Sequence, residues 1–424
     1  MNGMKKTWLA LLCIMLVAFW LRVYRLDFVS LRGDEAFTVI FVQRTWDGLW
    51  KGIRTVEPNP PLMYLALRAW VALAGAGEFA TRYFSAFFGV LSVPLLYRLA
   101  REMFVPPPHP SPASQGRGKI ALLATLLIAI NPYQVWHSQD VRNYTMWPAL
   151  SLLALIFLWR WWKAETRETT DNRRQTKHLS FVIFNLSFYV LATLASLYTH
   201  YYDTFILVAA NIFVFTFAIA GRRWSTLARW VGAQIALVAL YAPWVLFGTN
   251  RVTTYGEASA QQSVSLVDQF SRTLATFVLG DTVPDTLKAM LWLPLALALG
   301  VILIYLARKD FPRAAFLSLW IVVPTLALYV ISIGRPLFLE RYLNGIAPAY
   351  YLAFAAGLAA IGNWQLVTRA SAFRFLPSAF CLLFFVGTSA YALTNYYFDP
   401  AYAKAPNWRA LAQFIAARQQ PGDL

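Results

Sequence analysis

The chain has 424 residues, of which 58% are hydrophobic and only 13% are charged, and its mean hydropathy is +0.49. A soluble domain of this length carries nearly twice that charged fraction, so the composition excludes a soluble globular protein. The net charge of +17 does not indicate nucleic-acid binding, because Lys and Arg gather in the cytoplasmic loops of membrane proteins. The two cysteines, Cys13 and Cys381, lie in apolar runs and form neither a disulfide framework nor a zinc pattern.

Apolar runs long enough to cross a hydrocarbon core of about 30 Å recur along almost the whole chain. They predict an all-α polytopic membrane protein with about eleven transmembrane helices. The first is an uncleaved span, because no small-x-small cleavage site follows it. The predicted spans are residues 7–26, 80–101, 119–135, 143–162, 179–198, 203–220, 229–248, 287–307, 314–333, 342–361 and 375–394.

Basic residues are concentrated in every second predicted loop, and this distribution predicts the orientation of the chain in the membrane. The short connections near 136–141 and 199–203 contain no Lys or Arg, whereas 163–178 and 221–228 contain several. This asymmetry predicts a plasma or inner membrane protein with a cytoplasmic N-terminus. A transmembrane catalytic domain would then occupy residues 1–394. The predicted outside segments are the loops 27–79 and 249–286 and a short tail, 395–424.

The first outside loop contains two apolar stretches that are too short to span a membrane. Residues Ala36 to Ile53 mix aromatic and aliphatic side chains with charged ones, and Leu62 to Ala74 follow a possible N-cap, Asn59. Both stretches predict interfacial helices lying on the membrane. The loop 249–286 is polar and mixed, and it fits a lid over a site and an ordinary connection equally well.

The strongest local signal for chemistry is Arg32-Gly33-Asp34-Glu35, directly after the first span. Glycosyl transfer needs a carboxylate that takes a proton from the acceptor hydroxyl. It also needs positive groups that stabilise a departing phosphate. The alternative is that Asp34 and Glu35 only complement the dipole of a helix beginning near Ala36.

Four segments and a weaker fifth resemble the protein O-mannosyltransferase and aminoarabinose-transferase group of polyprenyl-phosphate-dependent enzymes, which share the GT-C fold. Their order from the first span to the tenth is more specific than any one of them. The four are GDEAFT (33–38), EPNPPLMYLALRAW (57–70), NPYQVWHSQDVRNYTMW (131–147) and ERYLNGIAPAY (340–350), and the fifth is HYY (200–202).

The resemblance implies roles for twelve residues. Asp34 would be the catalytic base, with Glu35 beside it and Asp140 as a further acid. The group often has His where this chain has Asn59, so the resemblance implies no acid–base or metal role there. Contacts to the donor phosphate would come from Arg142, Tyr144, Arg341 and Tyr342. The acceptor and sugar pocket would contain Glu57, Asn59, His137, His200 and Tyr201.

Plainer interpretations exist for several of these residues. Arg142 and Arg341 could equally be interfacial anchors that extend to lipid headgroups. A lone His at the outer end of a span is more often a satisfied polar residue than a ligand, and this is the favoured interpretation of His137 and His200.

The resemblance implies a hexosyl- or pentosyltransferase that moves a sugar from a polyprenyl phosphate, such as undecaprenyl phosphate, to a glycan, lipid or protein acceptor. Transfer would invert the anomeric configuration on the outer face of the membrane, without a metal or other cofactor. Two alternatives stay open. A flippase or exporter for lipid-linked sugars predicts charged residues at mid-span, whereas nearly all charges here fall at span ends or in loops. A non-catalytic scaffold in an envelope complex predicts that no activity depends on Asp34.

Overall fold

The computed structural model describes residues 2–104, 112–166, 172–252, 264–362 and 376–420, and these residues form helices and no strand. The first eleven helices are α1 (Asn2–Val23), α2 (Gly33–Val42), α3 (Trp46–Thr55), α4 (Leu62–Ala74), α5 (Glu78–Phe104), α6 (Pro112–Ile130), α7 (Pro132–Ser138), α8 (Met146–Glu165), α9 (Asn172–Leu197), α10 (Asp203–Ala220) and α11 (Trp224–Val252). They are followed by α12 (Leu266–Leu279), α13 (Asp285–Lys309), α14 (Phe311–Gly334), a 3₁₀ helix (Glu340–Ile346), α15 (Ala347–Gly362), α16 (Leu376–Phe398), a second 3₁₀ helix (Pro400–Tyr402) and α17 (Trp408–Ala416).

Nine helices of the described ranges are long and apolar enough to cross a membrane. The pair α6 and α7, bent by 56° at its break, makes a tenth if it counts as one span. The all-α polytopic prediction is therefore confirmed. The remaining predicted span, 143–162, coincides with α8, which is not among the ten. Its C-terminal end carries charged residues, among them Arg160, Lys163 and Glu165.

The break between α6 and α7 has a local cause. Asn131 caps α7 by accepting a hydrogen bond from the Gln134 amide at 3.1 Å, and Pro132 occupies the first helical position. Arg22, at the end of α1, is fully buried and donates to the carbonyls of Ile128 and Ala129 at 3.0 and 2.8 Å. These carbonyls end α6, so the guanidinium satisfies acceptors that the broken helix leaves unpaired.

The spans differ in how far the protein surrounds them. In the most apolar 18-residue stretch of Glu340–Ile361, which contains most of α15, 89% of the residues are buried, whereas in that of Asp285–Lys309, α13, 17% are buried. Helix α15 therefore lies in the centre of the bundle. The exposed apolar side chains of α13 fit lipid contact, since apolar surface costs nothing in hydrocarbon.

The first loop, residues 27–77, contains three helices where two were predicted. The stretch Ala36 to Ile53 is divided into α2 and α3, because Thr45 caps α3 by accepting from the Gly48 amide at 3.2 Å. Helix α4 has the predicted bounds, but its N-cap is Pro61 rather than Asn59, so the predicted cap is wrong. The Asn59 side chain turns instead to Glu57, to which it donates at 2.7 Å.

The second long loop and the tail also contain helices. Helix α12 lies within the segment 249–286 and is capped by Ser265, which accepts from the Asp268 amide at 3.1 Å. Part of that segment, 253–263, falls outside the described residues, as does the end of the tail, 421–424. In the tail, α17 follows Asn407, whose side chain accepts from the Ala410 amide at 3.1 Å. Its exposed apolar residues are Trp408, Leu411, Phe414 and Ile415.

Candidate active site

Four segments meet at the end of the bundle where the first loop lies. Asn143, in the loop between α7 and α8, donates to the side chain of Asn59 at 3.2 Å and to the carbonyl of Thr199 at 2.9 Å. Asn344, in the first 3₁₀ helix, donates to the carbonyl of Tyr144 at 2.7 Å. These bonds join parts of the chain that are up to 200 residues apart. Together with the bond from Arg142 to the hydroxyl of Thr38 in the first motif, at 3.0 Å, they connect all four motifs that carry the predicted site residues.

Glu35 is buried, and its carboxylate is engaged in structural contacts. Its side chain, 0% exposed, forms an ion pair with Arg82 of α5 at 2.8 Å. It also accepts hydrogen bonds from the backbone amides of Arg32 and Val141, at 3.0 and 3.1 Å. The first of these bonds closes the start of α2, and the second joins the first loop to the α7–α8 loop. The contacts of Glu35 are those of a residue that holds two loops together.

Asp34 differs from its neighbour in being accessible. Its side chain is 36% exposed, and its carboxylate forms an ion pair with Arg32 at 3.3 Å. Its backbone carbonyl accepts a bond from the hydroxyl of Thr38 at 2.8 Å, which fixes it in the first turn of α2. The two acids therefore have separate surroundings, and the accessible carboxylate is that of Asp34.

Asp140 lies behind Asp34 and is fully buried. Its Oδ1 atom is 2.8 Å from the Nζ of Lys404, and its Oδ2 atom is 3.5 Å from Arg32 and 3.3 Å from Nδ1 of His137. Burial by itself raises the pKa of Asp140, but Lys404, His137 and Arg32 outweigh it and hold this pKa well below its usual range. Asp140 is therefore ionised at any physiological pH. His137 lies against this carboxylate and belongs to the same cluster.

Arg142 and Arg341 present positive charge at the site without a carboxylate partner. Within the described residues, neither forms an ion pair, and the Nε atom of each is buried without a hydrogen-bond partner. Arg142 donates from Nη1 to the hydroxyl of Thr38 at 3.0 Å. Arg341 lies over the rings of Tyr144 and Tyr342, at 5.6 and 5.8 Å from their centroids. The carboxylate of Asp34 attracts both guanidiniums, and the charge of Arg142 repels that of Arg341, so positive charge is concentrated near Asp34.

His200 is stacked on Trp147, with ring centroids 4.2 Å apart. Burial, together with the charges of Arg142 and Arg341, lowers the pKa of His200 to about 3. The ring is therefore neutral, and its Nδ1 atom accepts a hydrogen bond from the Tyr202 amide at 3.2 Å. In that tautomer Nε2 carries the proton and is a donor. The histidine thus lies beside the arginines rather than beside the acids.

The remaining predicted pocket residues lie at the edge of this arrangement. Glu57 is buried and accepts from the backbone and side-chain nitrogens of Asn59 at 3.1 and 2.7 Å. Its charge helps to raise the pKa of Arg142 against the effect of burial. The Tyr201 hydroxyl accepts from the indole of Trp244 at 3.2 Å, among apolar residues under the first loop.

Three residues of the site were assigned no role from the sequence. They are Arg32, shared by two carboxylates, Arg82, paired with Glu35, and Lys404, paired with Asp140. Arg82 offered one signal, since a charged residue within a predicted span is costly and usually functional or paired. Among the residues described, no group of three or more His, Cys, Asp or Glu side chains could hold a metal ion. Independence from metal stays a prediction.

No protein-family model and no curated protein matches the sequence. Solved structures do match. ArnT from Cupriavidus metallidurans in the apo state has a TM-score of 0.59 at 15% identity, over 98% of this chain and 70% of that chain. The same protein bound to undecaprenyl phosphate gives 0.60 at 14% identity, over 97% and 80%.

A second similar protein is the Archaeoglobus fulgidus oligosaccharyltransferase, solved with a tethered acceptor peptide. The match has a TM-score of 0.61 at 13% identity and covers all of this chain. This chain spans only 58% of the length of that enzyme. Identities this low show a common fold, and both proteins are membrane glycosyltransferases. The chain is an integral, multi-pass membrane protein with the GT-C fold.

Proposed function

We propose that this protein is a glycosyltransferase that moves a sugar from a polyprenyl phosphate to an acceptor hydroxyl on the outer face of the membrane. The proposal is supported by the fold, by the accessible carboxylate of Asp34 and by the pair Arg142 and Arg341. The observation that carries it is that these two guanidiniums lack a carboxylate partner within the described residues, beside a carboxylate that is accessible.

The arginines suit the phosphate of a lipid-linked donor. Each guanidinium offers several N–H donors in a plane, and charge-assisted bonds to phosphate oxygens are strong and directional. The charge of Asp34 disfavours a bound anion, so the positive charges of both arginines are needed to attract one. Tyr144 and Tyr342 lie under Arg341 and restrict where its guanidinium can point. The prenyl chain would lie between spans, in contact with lipid.

In the proposed reaction, Asp34 takes the proton of the acceptor hydroxyl as its oxygen attacks the anomeric carbon. A new carbon–oxygen bond forms there, and the bond from that carbon to the phosphate oxygen breaks. The electron pair of the broken bond goes to the phosphate, whose charge Arg142 and Arg341 stabilise. Attack opposite the leaving phosphate inverts the anomeric configuration. The proton remains on Asp34 until solvent takes it.

The test is a transfer assay on purified protein, with a panel of hexosyl and pentosyl polyprenyl phosphates and with glycan, lipid and peptide acceptors. We expect one donor to yield both a glycosylated acceptor and free polyprenyl phosphate, in equal amounts. Movement of the intact donor across a vesicle membrane without release of polyprenyl phosphate would instead identify a flippase. Absence of both activities across the panel would leave the scaffold alternative.

A further inference from the structure

We infer that Lys404, contributed by the C-terminal segment, is a positioning residue of the site: it holds Asp140 so that Arg32 stays between Asp140 and Asp34. The inference rests on the proposed function, because the consequence is the placement of the proposed base. The residue lies 264 positions from Asp140 in the sequence and follows the last predicted span.

The side chain of Lys404 is enclosed by the site. It is 3% exposed, and its Nζ atom lies 2.8 Å from Oδ1 of Asp140. The same nitrogen donates to the backbone carbonyl of Trp136 and lies 4.6 and 5.4 Å from the ring centroids of Trp136 and Tyr396. A carbonyl, two aromatic faces and a carboxylate form a binding site for one ammonium group.

The segment that carries Lys404 is attached to the first loop on its other side. Arg409 donates to the carbonyl of Phe28 at 2.8 Å and pairs with Glu78 at 3.2 Å. Its backbone amide donates to the hydroxyl of Ser30 at 3.2 Å. Helix α17, which begins at Trp408, exposes apolar side chains beside these contacts. The tail thus lies across the residues that lead into Asp34.

Charge balance shows why the lysine matters to Asp34. The cluster contains three carboxylates, Asp34, Glu35 and Asp140. Of its cations, Arg82 is committed to Glu35 by two hydrogen bonds. Arg32 is nearly equidistant from the other two acids, at 3.3 Å from Asp34 and 3.5 Å from Asp140. Without Lys404, the fully buried Asp140 keeps Arg32 and the ring of His137 as its partners. Arg32 would then be drawn to Asp140 rather than to the partly exposed Asp34, because an unpaired buried charge is costly.

Lys404→Met should therefore draw Arg32 towards Asp140 and away from Asp34. Misplacing a reacting group by about 1 Å costs on the order of 100-fold, so we expect kcat to fall about 10- to 100-fold. The KM for the donor should stay within about twofold, because the arginines that bind phosphate are untouched. Lys51→Met is the matched control: Lys51 is an exposed lysine of α3, and its replacement should leave kcat unchanged.

A double-mutant cycle with Asp140→Asn separates this role from a merely structural one. In the Asp140→Asn background, Lys404→Met should change kcat by less than about twofold, because the charge that draws Arg32 is gone. Unfolding temperatures of the wild type, the two single variants and the double variant can be measured whether or not a donor has been found. Lys404→Met should lower the unfolding temperature less in the Asp140→Asn background than in the wild type. A wild-type kcat in Lys404→Met would overturn the inference. So would a fall in kcat of the double variant equal to the product of the falls in the two single variants. An inactive wild type would instead overturn the proposed function, and with it the positioning role.

Discussion

The carboxylate of Glu35 accepts two hydrogen bonds from the guanidinium of Arg82, at 3.0 Å from Nε to Oε1 and 2.8 Å from Nη2 to Oε2. Arg82 uses its other donors on the carbonyls of residues 26, 29 and 30. The pair therefore fixes the path of the chain into α2. It also separates two adjacent acids: Glu35 supports the loop, and Asp34 is accessible.

The first prediction concerns the stability of this pair. Glu35→Gln leaves the charge of Arg82 buried without an opposite charge, and breaking a buried pair costs about 3–5 kcal/mol. We expect a clearly lower unfolding temperature in detergent and lower expression. Asp34→Asn is the matched amide substitution one residue earlier, at a partly exposed side chain, and should leave the unfolding temperature nearly unchanged. Equal temperatures for the two variants would remove the structural role of Glu35.

The second prediction concerns the two arginines. Arg142→Lys keeps the charge but loses the planar pair of donors, so the KM for the donor should rise. Arg142→Ala and Arg341→Ala should each raise it by roughly 10- to 100-fold, as expected for lost charge-assisted bonds. Arg44→Lys is the control, at an exposed arginine of the first loop. Wild-type donor KM in both alanine variants would make Arg142 and Arg341 membrane anchors.

The third prediction concerns acid stability. His200 is buried with a pKa of about 3, against 6.5 for an exposed histidine. Between these values the unfolded chain binds a proton that the folded chain does not, so stability is lost as pH falls below about 6.5, by about 1.4 kcal/mol per pH unit for this group. Unfolding temperatures measured from pH 7 to pH 5 should fall less in His200→Gln than in the wild type. Parallel pH dependences of the two proteins would contradict the buried neutral histidine.

The fourth prediction concerns orientation. Thr55, at the end of α3, and Ser225, in the first turn of α11, have exposed side chains in segments predicted to lie on opposite sides of the membrane. In a background without Cys13 and Cys381, Thr55→Cys should react with an impermeant thiol reagent added to intact cells. Ser225→Cys should react only after the membrane is opened. Reaction of both residues from the same side would place the proposed site in the wrong compartment.

Sequence patterns predicted most spans to within a few residues, because hydropathy over about 20 residues directly reflects the thickness of the bilayer. Local chemistry was harder to predict. The sequence predicted Asn59 as a helix cap, but the Asn59 side chain donates a hydrogen bond to the neighbouring carboxylate of Glu57 instead. The break at Thr45 depends on a single hydroxyl and lies within a continuous amphipathic pattern. Such choices are decided by single hydrogen bonds rather than by periodicity.

Long-range pairing within the site could not be predicted at all. The motifs indicated which residues carry chemistry, but not that Glu35 would meet Arg82 or that Asp140 would meet Lys404. These partners are 47 and 264 residues apart, and only the packing of the helices brings them together. One sequence contains no trace of such a pairing beyond an unexpected charge within or beside an apolar run.

The last prediction concerns the proposed base. Asp34→Asn keeps the size of the side chain and its bond to Arg32, but the amide cannot take a proton. Since a general base typically contributes about 10²–10⁴-fold, kcat should fall by that factor while donor binding survives. Asp140→Asn should lower kcat by a smaller factor, because Asp140 is fully buried behind Arg32 and acts through its position.

The Asp34 experiment needs a control that separates chemistry from folding. Asp47→Asn makes the same change at an exposed residue of α3 and should leave kcat and the unfolding temperature unchanged. Donor binding to Asp34→Asn should also strengthen slightly, because removing a negative charge beside the arginines reduces its repulsion of phosphate. Wild-type turnover in Asp34→Asn would exclude it as the base. If Glu35→Gln were then folded but inactive, the base would be Glu35, and Arg82 would have to release it during the reaction.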